Sequence, residues 1–242
     1  MNLTTLLGKN CLITGASRGI GKEIAFMLAN SGCNLLITAT NRRLLDDVRN
    51  ELNDLYPNII VHSKEADLSN SKDIKKLIDF TKKNFTSIDI LINNAGIFST
   101  ESICDIEEDQ LELIFSVNVK APFLLVKEFS KGMMSNKWGR IVNVGSTSAY
   151  EGFPNTSMYC SSKHALLGLS RSLNKEMKSH GVRTYFVAPG SVKTKMGEDT
   201  FNQDYSQYID PKEVAEIIRN IISYDTNFVV DEIRLSRLVV NT

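Results

Sequence analysis

Cys11-Leu12-Ile13-Thr14-Gly15-Ala16-Ser17-Arg18-Gly19-Ile20-Gly21 is the stretch on which the fold turns. Its first four residues are β-rich and mostly apolar, and Ile20, Ile24, Met27 and Leu28 then recur on one helical face. A strand therefore feeds a helix through a glycine-rich turn. Gly15 and Gly19 let main chain approach a pyrophosphate at the helix N-terminus, where unpaired N–H groups and the helix dipole favour an anion. Gly21 permits close packing of helix on sheet. The spacing is TGxxxGxG rather than GxGxxG, and the strand before it and helix after it are what make it a nucleotide signal.

The same alternation continues outward from this unit. LLIT (35–38), IIVH (59–62), DILI (89–92), IVNV (141–144), TYFV (184–187) and the segment 228–233 read as strands, seven in all with CLIT (11–14). Helical periodicity marks 20–29, 42–55, 71–85, 107–134, 157–179 and 211–222. The strands lack in/out alternation, as expected when helices cover both faces of a parallel sheet. A doubly wound α/β fold follows, with a mostly parallel seven-stranded sheet and ligands at the carboxyl ends of its strands. No Pro/Gly/Ser linker interrupts the chain between Gly8 and Asn227, so a single domain over its 242 residues, 1–242, is expected.

Composition narrows the function classes. Lys plus Arg total 28 against 28 Asp plus Glu, which leaves no basic footprint for nucleic acid. The start MNLTTLLGKN lacks a signal-peptide pattern, and no apolar run approaches the ~18 residues of a membrane helix, so no membrane partner and a cytoplasmic location are expected. Cys11, Cys33, Cys104 and Cys160 are scattered, without CxxC or a histidine at metal-ligand spacing, so neither disulfides nor a metal is expected.

Two further motifs follow strands. Asn93-Asn94-Ala95-Gly96 comes after the fourth, and Tyr159-x-x-x-Lys163 places a phenol and an ammonium on one helical face. With TGxxxGxG, in this order, they make the chain resemble the classical short-chain dehydrogenases/reductases from about Lys9 to Met196, a family with a Rossmann-type fold. The resemblance implies that Gly15, Ser17, Arg18, Gly19, Ile20 and Gly21 hold a dinucleotide. It also implies that Asn94, Ala95 and Gly96 line the adenosine ribose, that Asp67 and Leu68 flank the adenine, and that Asn93 is mainly structural. Pro189-Gly190-Ser191-Val192-Lys193-Thr194 matches the family's PGxxxT segment, which implies that Pro189 and Gly190 bind the cofactor and that the Val192 backbone and Thr194 hydroxyl hold the carboxamide.

Resemblance implies a catalytic tetrad of Asn118, Ser146, Tyr159 and Lys163. Tyr159 would exchange a proton with the substrate oxygen. Lys163 would lower its pKa and hold the nicotinamide ribose, since a nearby cation favours phenolate over phenol. Ser146, thirteen residues before Tyr159, would donate to the substrate carbonyl as negative charge develops; Ser148 is the second candidate. Pro122 has no N–H, so in a continuous helix the Asn118 carbonyl loses its partner and would take a water leading toward Lys163.

For the cofactor, no acidic residue occurs from Ile24 to Leu45, and Ala39 stands where an NAD-selecting acid would fall. Arg18, Thr40 and Arg42 would meet a 2′-phosphate, which points to NADP(H); Arg42 and Arg43 beginning a solvated helix is the other reading. Phe201, Tyr205 and Tyr208 share helical spacing within 195–210, a candidate substrate lid or a plain surface helix, with Tyr150, Phe153 and Met158 as the opposite wall. The nearest look is to 3-oxoacyl-carrier-protein reductases, whose basic docking pair falls on Lys137 and His180. The ending VVDEIRLSRLVVNT departs from that branch's glycine-rich final strand. A small-molecule carbonyl or alcohol is the expected substrate. A sugar or small-metabolite ketoreductase and a catalytically silent NADP-binding regulator stay open. Self-association as a homotetramer or homodimer through 107–134 and 157–179 is implied by the resemblance.

Overall fold

A computed structural model describes residues 3–198 and 204–238. In chain order the elements are β1 (Asn10–Thr14), α1 (Gly19–Asn30), β2 (Asn34–Ala39), α2 (Arg42–Leu55), β3 (Val61–Glu65), α3 (Ser71–Asn84), β4 (Ile90–Asn93), α4 (Glu108–Phe115), a π-helical turn (Ser116–Lys120), α5 (Ala121–Ser135), β5 (Gly139–Val144), α6 (Ser157–Met177), β6 (Val182–Pro189), α7 (Lys195–Glu198), α8 (Pro211–Ser223) and β7 (Glu232–Leu235). The sheet order is β3-β2-β1-β4-β5-β6-β7 and every neighbouring pair is parallel.

Each strand feeds both faces through the twofold alternation of side chains. Cys11, Ile13, Leu35, Ile37, Ile90, Ile92, Val142 and Val144 join a core under α1, α2 and α8. Leu12, Leu36, Leu91 and Ile141 join a second core under α3 and α5. At about 1.5–3 kcal/mol per fully buried aliphatic side chain, two such layers explain why the central strands are apolar throughout. The helix ends are set locally. Asn41 caps α2 by accepting from the Leu44 amide at 3.0 Å, and Asp210 and Glu213 form a reciprocal capping box on α8.

Three boundaries differ from the sequence reading. The strand expected at 59–62 is β3 at Val61–Glu65, because Ile60 is 51% exposed and only its carbonyl reaches Leu35. The strand expected at 228–233 is β7, shifted to where Phe186 pairs with Glu232. The single helix expected over 107–134 is interrupted by the π-helical turn, in which the Ala121 amide reaches back to Ser116. Pro122, in the first turn of α5, lacks the donor that an unbroken α-ladder requires.

A charge lies inside the fold with no carboxylate ion pair among the described residues. Arg140 on β5 is 1% exposed and donates to the carbonyls of Ile222 and Gly139 at 3.1 and 3.0 Å. Its neighbour across the ladder, Arg183, donates to Tyr224 and Thr226 at 2.8 and 2.6 Å. Arg140 thus satisfies a carbonyl in the last turn of α8 and Arg183 those just beyond it, where the helix dipole favours cations. No helix among the described residues is long and apolar enough to cross a membrane.

Candidate active site

β1 and β4 are adjacent, so the turns that follow them face each other across the point where strand order reverses. Gly15 and Gly19 have φ of +65° and +56°, the left-handed region open to glycine at little steric cost. A Cβ on Gly15 would stand 2.9 Å from the Ala95 Cα, and one on Gly21 would stand 2.3 Å from the Gly15 carbonyl oxygen. Asn94 ties the two turns: its Nδ2 donates to the carbonyls of Thr14 and Gly15 at 2.9 and 3.1 Å. Thr14 Oγ1 accepts from the amides of Asn94 and Ala95, both at 3.0 Å. Asn94 therefore spends its amide donors on the loop itself. Asn93 is held below by Asn143 at 2.8 Å, as a structural role requires.

The N-terminus of α1 carries no capping side chain and no acid in its first turn, and Arg18, at its start, is extended and exposed. Thr194 of the PGxxxT segment leans on this loop, its methyl 3.0 Å from where a Gly19 Cβ would be. A dinucleotide fits these residues: two left-handed glycines that carry no side chain of their own into the turn, an uncapped helix terminus for phosphate, and a neighbouring ammonium with donors to spare. Such a group, when bound, supplies or accepts hydride.

That ammonium is Lys163, 4% exposed, whose Nζ donates to the Val144 carbonyl at 3.2 Å. It stands 5.6 Å from the centre of the Tyr159 ring. A Cβ on Gly96 would touch both the Asn118 Oδ1 at 3.3 Å and the Lys163 Nζ at 3.5 Å, so Asn118, Lys163 and Gly96 surround one small space. Asn118 sits in the π-helical turn and is 1% exposed. Its side chain accepts from the Ile97 amide at 2.9 Å and donates to Ser162 Oγ at 3.0 Å. Ser146, just beyond β5, accepts from the Ser148 amide at 3.1 Å and interacts with the Tyr159 phenol. All four tetrad positions are thus brought together. Ser148 is buried and turned toward Ser146.

Electrostatics at this site depart from the sequence expectation. Burial pushes the Tyr159 phenol up to about 12, and a hydrogen bond with Ser146 only partly opposes it. Burial pushes the Lys163 ammonium down to about 8. Lys163 does not depress the Tyr159 pKa here: its own charge is penalised by the same desolvation, and its hydrogen bond goes to Val144. At neutral pH the pair is a phenol and a mostly charged ammonium.

The 2′-phosphate region is also more mixed than the acid-free stretch suggested. Ala39 is buried and offers no carboxylate, and Thr40 is exposed on the wall of a cavity of about 370 Å³. Arg42, however, is paired with Asp46 at 3.0 Å, and Glu65, Asp67 and Asp73 line the cavity beside Lys64 and Lys76. These groups lie outside 24–45 in sequence, apart from Arg42 itself, and arrive through α2, β3, the turn that follows it and α3. Asp67 Oδ1 accepts from the Ser69 amide at 2.9 Å, and Leu68 is buried.

Around the substrate side, Phe201 falls outside the described residues. The continuous helix implied by its spacing with Tyr205 and Tyr208 is not formed from 204 onward. Asp204 caps a single short turn, Tyr205–Gln207, and Ile209 pairs with the main chain of Ser191 and Lys193. Tyr208 is 4% exposed. Of the expected opposite wall, Met158 is buried, Phe153 is exposed and Tyr150 donates to Glu232 at 2.7 Å. Sequence reading missed Phe98, whose ring meets Tyr159 edge-on at 4.7 Å; its place two residues after the NNAG turn was the available signal. Lys137 and His180 precede β5 and β6, at the opposite rim of the sheet from Ser146.

Comparison with known proteins agrees with this arrangement. Residues 9–205 match the family described as short chain dehydrogenase. A 3-oxoacyl-(acyl-carrier-protein) reductase of Rickettsia felis is 32% identical over 237 residues, covering 94% of each chain. An alcohol dehydrogenase from the archaeon Thermococcus sibiricus, complexed with 5-hydroxy-NADP, superposes with a TM-score of 0.88 at 25% identity, over 97% of this chain and 98% of that one. A metagenomic short-chain oxidoreductase in complex with NADP gives 0.83 at 28% identity, over 96% and 100%.

Proposed function

The chain belongs to the short chain dehydrogenase family of oxidoreductases, with a nicotinamide cofactor, and on that premise we propose that it is an NADP(H)-dependent carbonyl reductase with Tyr159 as its proton donor. The observation that carries this reading is the convergence of Asn118, Ser146, Tyr159 and Lys163 on one buried space beside Gly96. Reduction is the favoured direction. A phenol held at about 12 is protonated at neutral pH, as a donor to a developing alkoxide must be. The Ser146 hydroxyl donates to the same oxygen. Lys163 holds the ribose and, with the Asn118 carbonyl and a bridging water, returns a proton to Tyr159.

NADP(H) is favoured over NAD(H) by the absence of an acid at Ala39, by the exposed Arg18, and by the exposed Thr40 with Lys64 on the same cavity wall. A 3-oxoacyl substrate is supported by the likeness to the Rickettsia felis reductase. A sugar or other small ketone is the second reading, favoured by Lys137 and His180 standing at the opposite rim of the sheet from Tyr159. The segment 195–210 would close over the substrate. Pairing of subunits through α5 and α6 is supported by a groove of about 600 Å³ lined by Phe115, Val119, Phe123 and Leu169.

Tyr159→Phe tests the reading directly. Turnover of a ketone panel with NADPH should fall by roughly 10²–10⁴-fold while NADPH binding, followed by its fluorescence, is retained. Normal turnover in this variant, or NADPH binding by the wild-type protein without turnover of any ketone or alcohol, would reject it.

A further inference from the structure

The departing tail, Asp231-Glu232-Ile233-Arg234-Leu235-Ser236-Arg237, finds a place that the cofactor reading does not use. β7 runs parallel to β6, with Arg234 opposite Ala188 and Leu235 opposite Pro189. The tail therefore climbs toward the same rim that carries the Gly190–Thr194 turn, and the Gly190 amide donates to the Leu235 carbonyl at 2.8 Å. Thr147, the residue after Ser146, is on the other side of Gly190, its methyl 3.9 Å from where a Cβ would stand.

Two arginines on this tail lie over two tyrosines of the rim, one of them stacked. The Arg234 guanidinium lies 3.4 Å from the centre of the Tyr150 ring, four residues beyond Ser146. That of Arg237 lies 5.4 Å from the centre of the Tyr208 ring, on the segment 195–210. Stacking orients a guanidinium plane but leaves its edge donors free for another group.

The carboxylate nearest in sequence is already committed. Glu232 accepts from Arg171 through two hydrogen bonds, 2.6 and 3.0 Å, and from the Tyr150 hydroxyl at 2.7 Å. The Arg171 hydrogen bond is the main reason its carboxyl is held below the ordinary range. Asp231, one position off that strand face, accepts from Asn174 at 3.1 Å. Among the described residues no carboxylate forms an ion pair with Arg234 or Arg237. Glu232 still acts on Arg234 through space, and Arg234 also bonds the Tyr150 hydroxyl; with Arg171 already bonded to that one carboxylate, the described rim between Tyr150 and Tyr208 carries an excess of positive charge, set by aromatic rings on either side of the turn after β6.

We infer that Arg234 and Arg237 are specificity residues that hold an anionic group of the substrate, so that the ketone reduced here carries a carboxylate or a phosphate. This rests on the reading of the site as a carbonyl reductase, but on neither of its substrate branches. The chemistry is that of guanidinium edges toward a planar or tetrahedral oxyanion, with the ketone directed inward to Tyr159.

Two matched pairs of compounds test it, and also separate carboxylate from phosphate: 4-oxopentanoate against its methyl ester, and dihydroxyacetone phosphate against dihydroxyacetone. Binding is measured by calorimetry with NADP⁺ present, and turnover with NADPH. At least one anion should bind roughly tenfold or more tightly than its neutral partner. Arg234→Gln and Arg237→Gln should each remove most of that preference while leaving the neutral compound's affinity and NADPH binding unchanged, and Arg234→Lys should restore part of it. The preference should also weaken as salt rises. Equal binding of anion and neutral compound in both pairs, or a preference that survives both substitutions, overturns the inference. Anion binding that depends on both arginines but is never followed by turnover would leave the anion site standing and sink the reductase reading instead. Equal turnover of anion and neutral compound would do the reverse.

Discussion

Replacing Lys163 with methionine should make the protein more stable, not less, while abolishing its activity. The side chain is 4% exposed, and burial moves its ammonium from the ordinary 10.5 to about 8. At about 1.4 kcal/mol per pKa unit, holding that charge inside the folded protein at pH 7 costs about 3 kcal/mol. Lys163→Met removes the cost and keeps the aliphatic stem. It also removes the donor to the Val144 carbonyl, a loss of about 1 kcal/mol. The net gain at pH 7 is about 2 kcal/mol, or roughly 4–8 °C in Tm for a chain of this size.

The sign of the pH dependence follows from linkage. Between about 8 and 10.5 the folded wild type binds fewer protons at this site than the unfolded chain does, so its stability rises with pH across that window. Lys163→Met lacks this dependence. Because the variant also lacks the Val144 hydrogen bond, its advantage should shrink and then reverse, the two curves crossing before pH reaches 10.5, with Tyr159 contributing equally to both. Urea denaturation of each between pH 6.5 and 10.5 measures the difference. A variant no more stable than wild type at pH 7, or a difference that does not change with pH, would refute the claim that the site is held together against a desolvated charge.

Other outcomes follow from the same geometry. The kcat/KM for ketone reduction should fall as pH rises through about 8, when Lys163 loses its charge, well before Tyr159 ionises near 12; stopped-flow or steady-state pH profiles read this. Gly15→Ala should weaken NADPH binding and destabilise the fold by about 1–3 kcal/mol, because a left-handed φ of +65° and the Ala95 Cα at 2.9 Å both oppose a methyl group. Arg18→Glu should lower the NADPH-over-NADH preference, measured as a ratio of kcat/KM values. Arg140→Met should lower stability by about 2–4 kcal/mol in chemical denaturation, since the Ile222 and Gly139 carbonyls lose their donors in the interior; an unchanged midpoint would contradict its role at the end of α8.

Much of this fold was legible because its signals are local. A β-rich run, a glycine turn and a helical stripe fall within Cys11–Leu28, and the same grammar repeats for β2, β4, β5 and β6. Legibility failed where partners are distant. The edge strands β3 and β7 slid because their register is set by Leu35–Ala39 and Phe186–Pro189, not by their own composition. Arg140 looks like a surface residue in sequence, and only the arrival of the α8 carbonyls makes its burial tolerable. At the site, the Tyr159–Lys163 spacing placed the pair, but the direction of both pKa shifts depends on burial created by the whole sheet. The acid-free stretch 24–45 likewise said nothing of Glu65, Asp67 or Asp73, which tertiary structure delivers to the cavity beside Thr40.

The staple made by Asn94 has a consequence for how the chain acquires its cofactor loop. Its amide secures the carbonyls of Thr14 and Gly15 across a sequence separation of 80 and 79 residues. During synthesis at about 5–20 residues per second, the glycine turn leaves the ribosome several seconds before the residue that clamps it. A nascent chain ending short of Asn94 can form β1 and α1, but its glycine turn lacks the tether that holds it in shape. Dinucleotide present in the cell would then act on folding only after β4 has docked beside β1, as a ligand of the half-finished sheet and not of its first hairpin-sized piece.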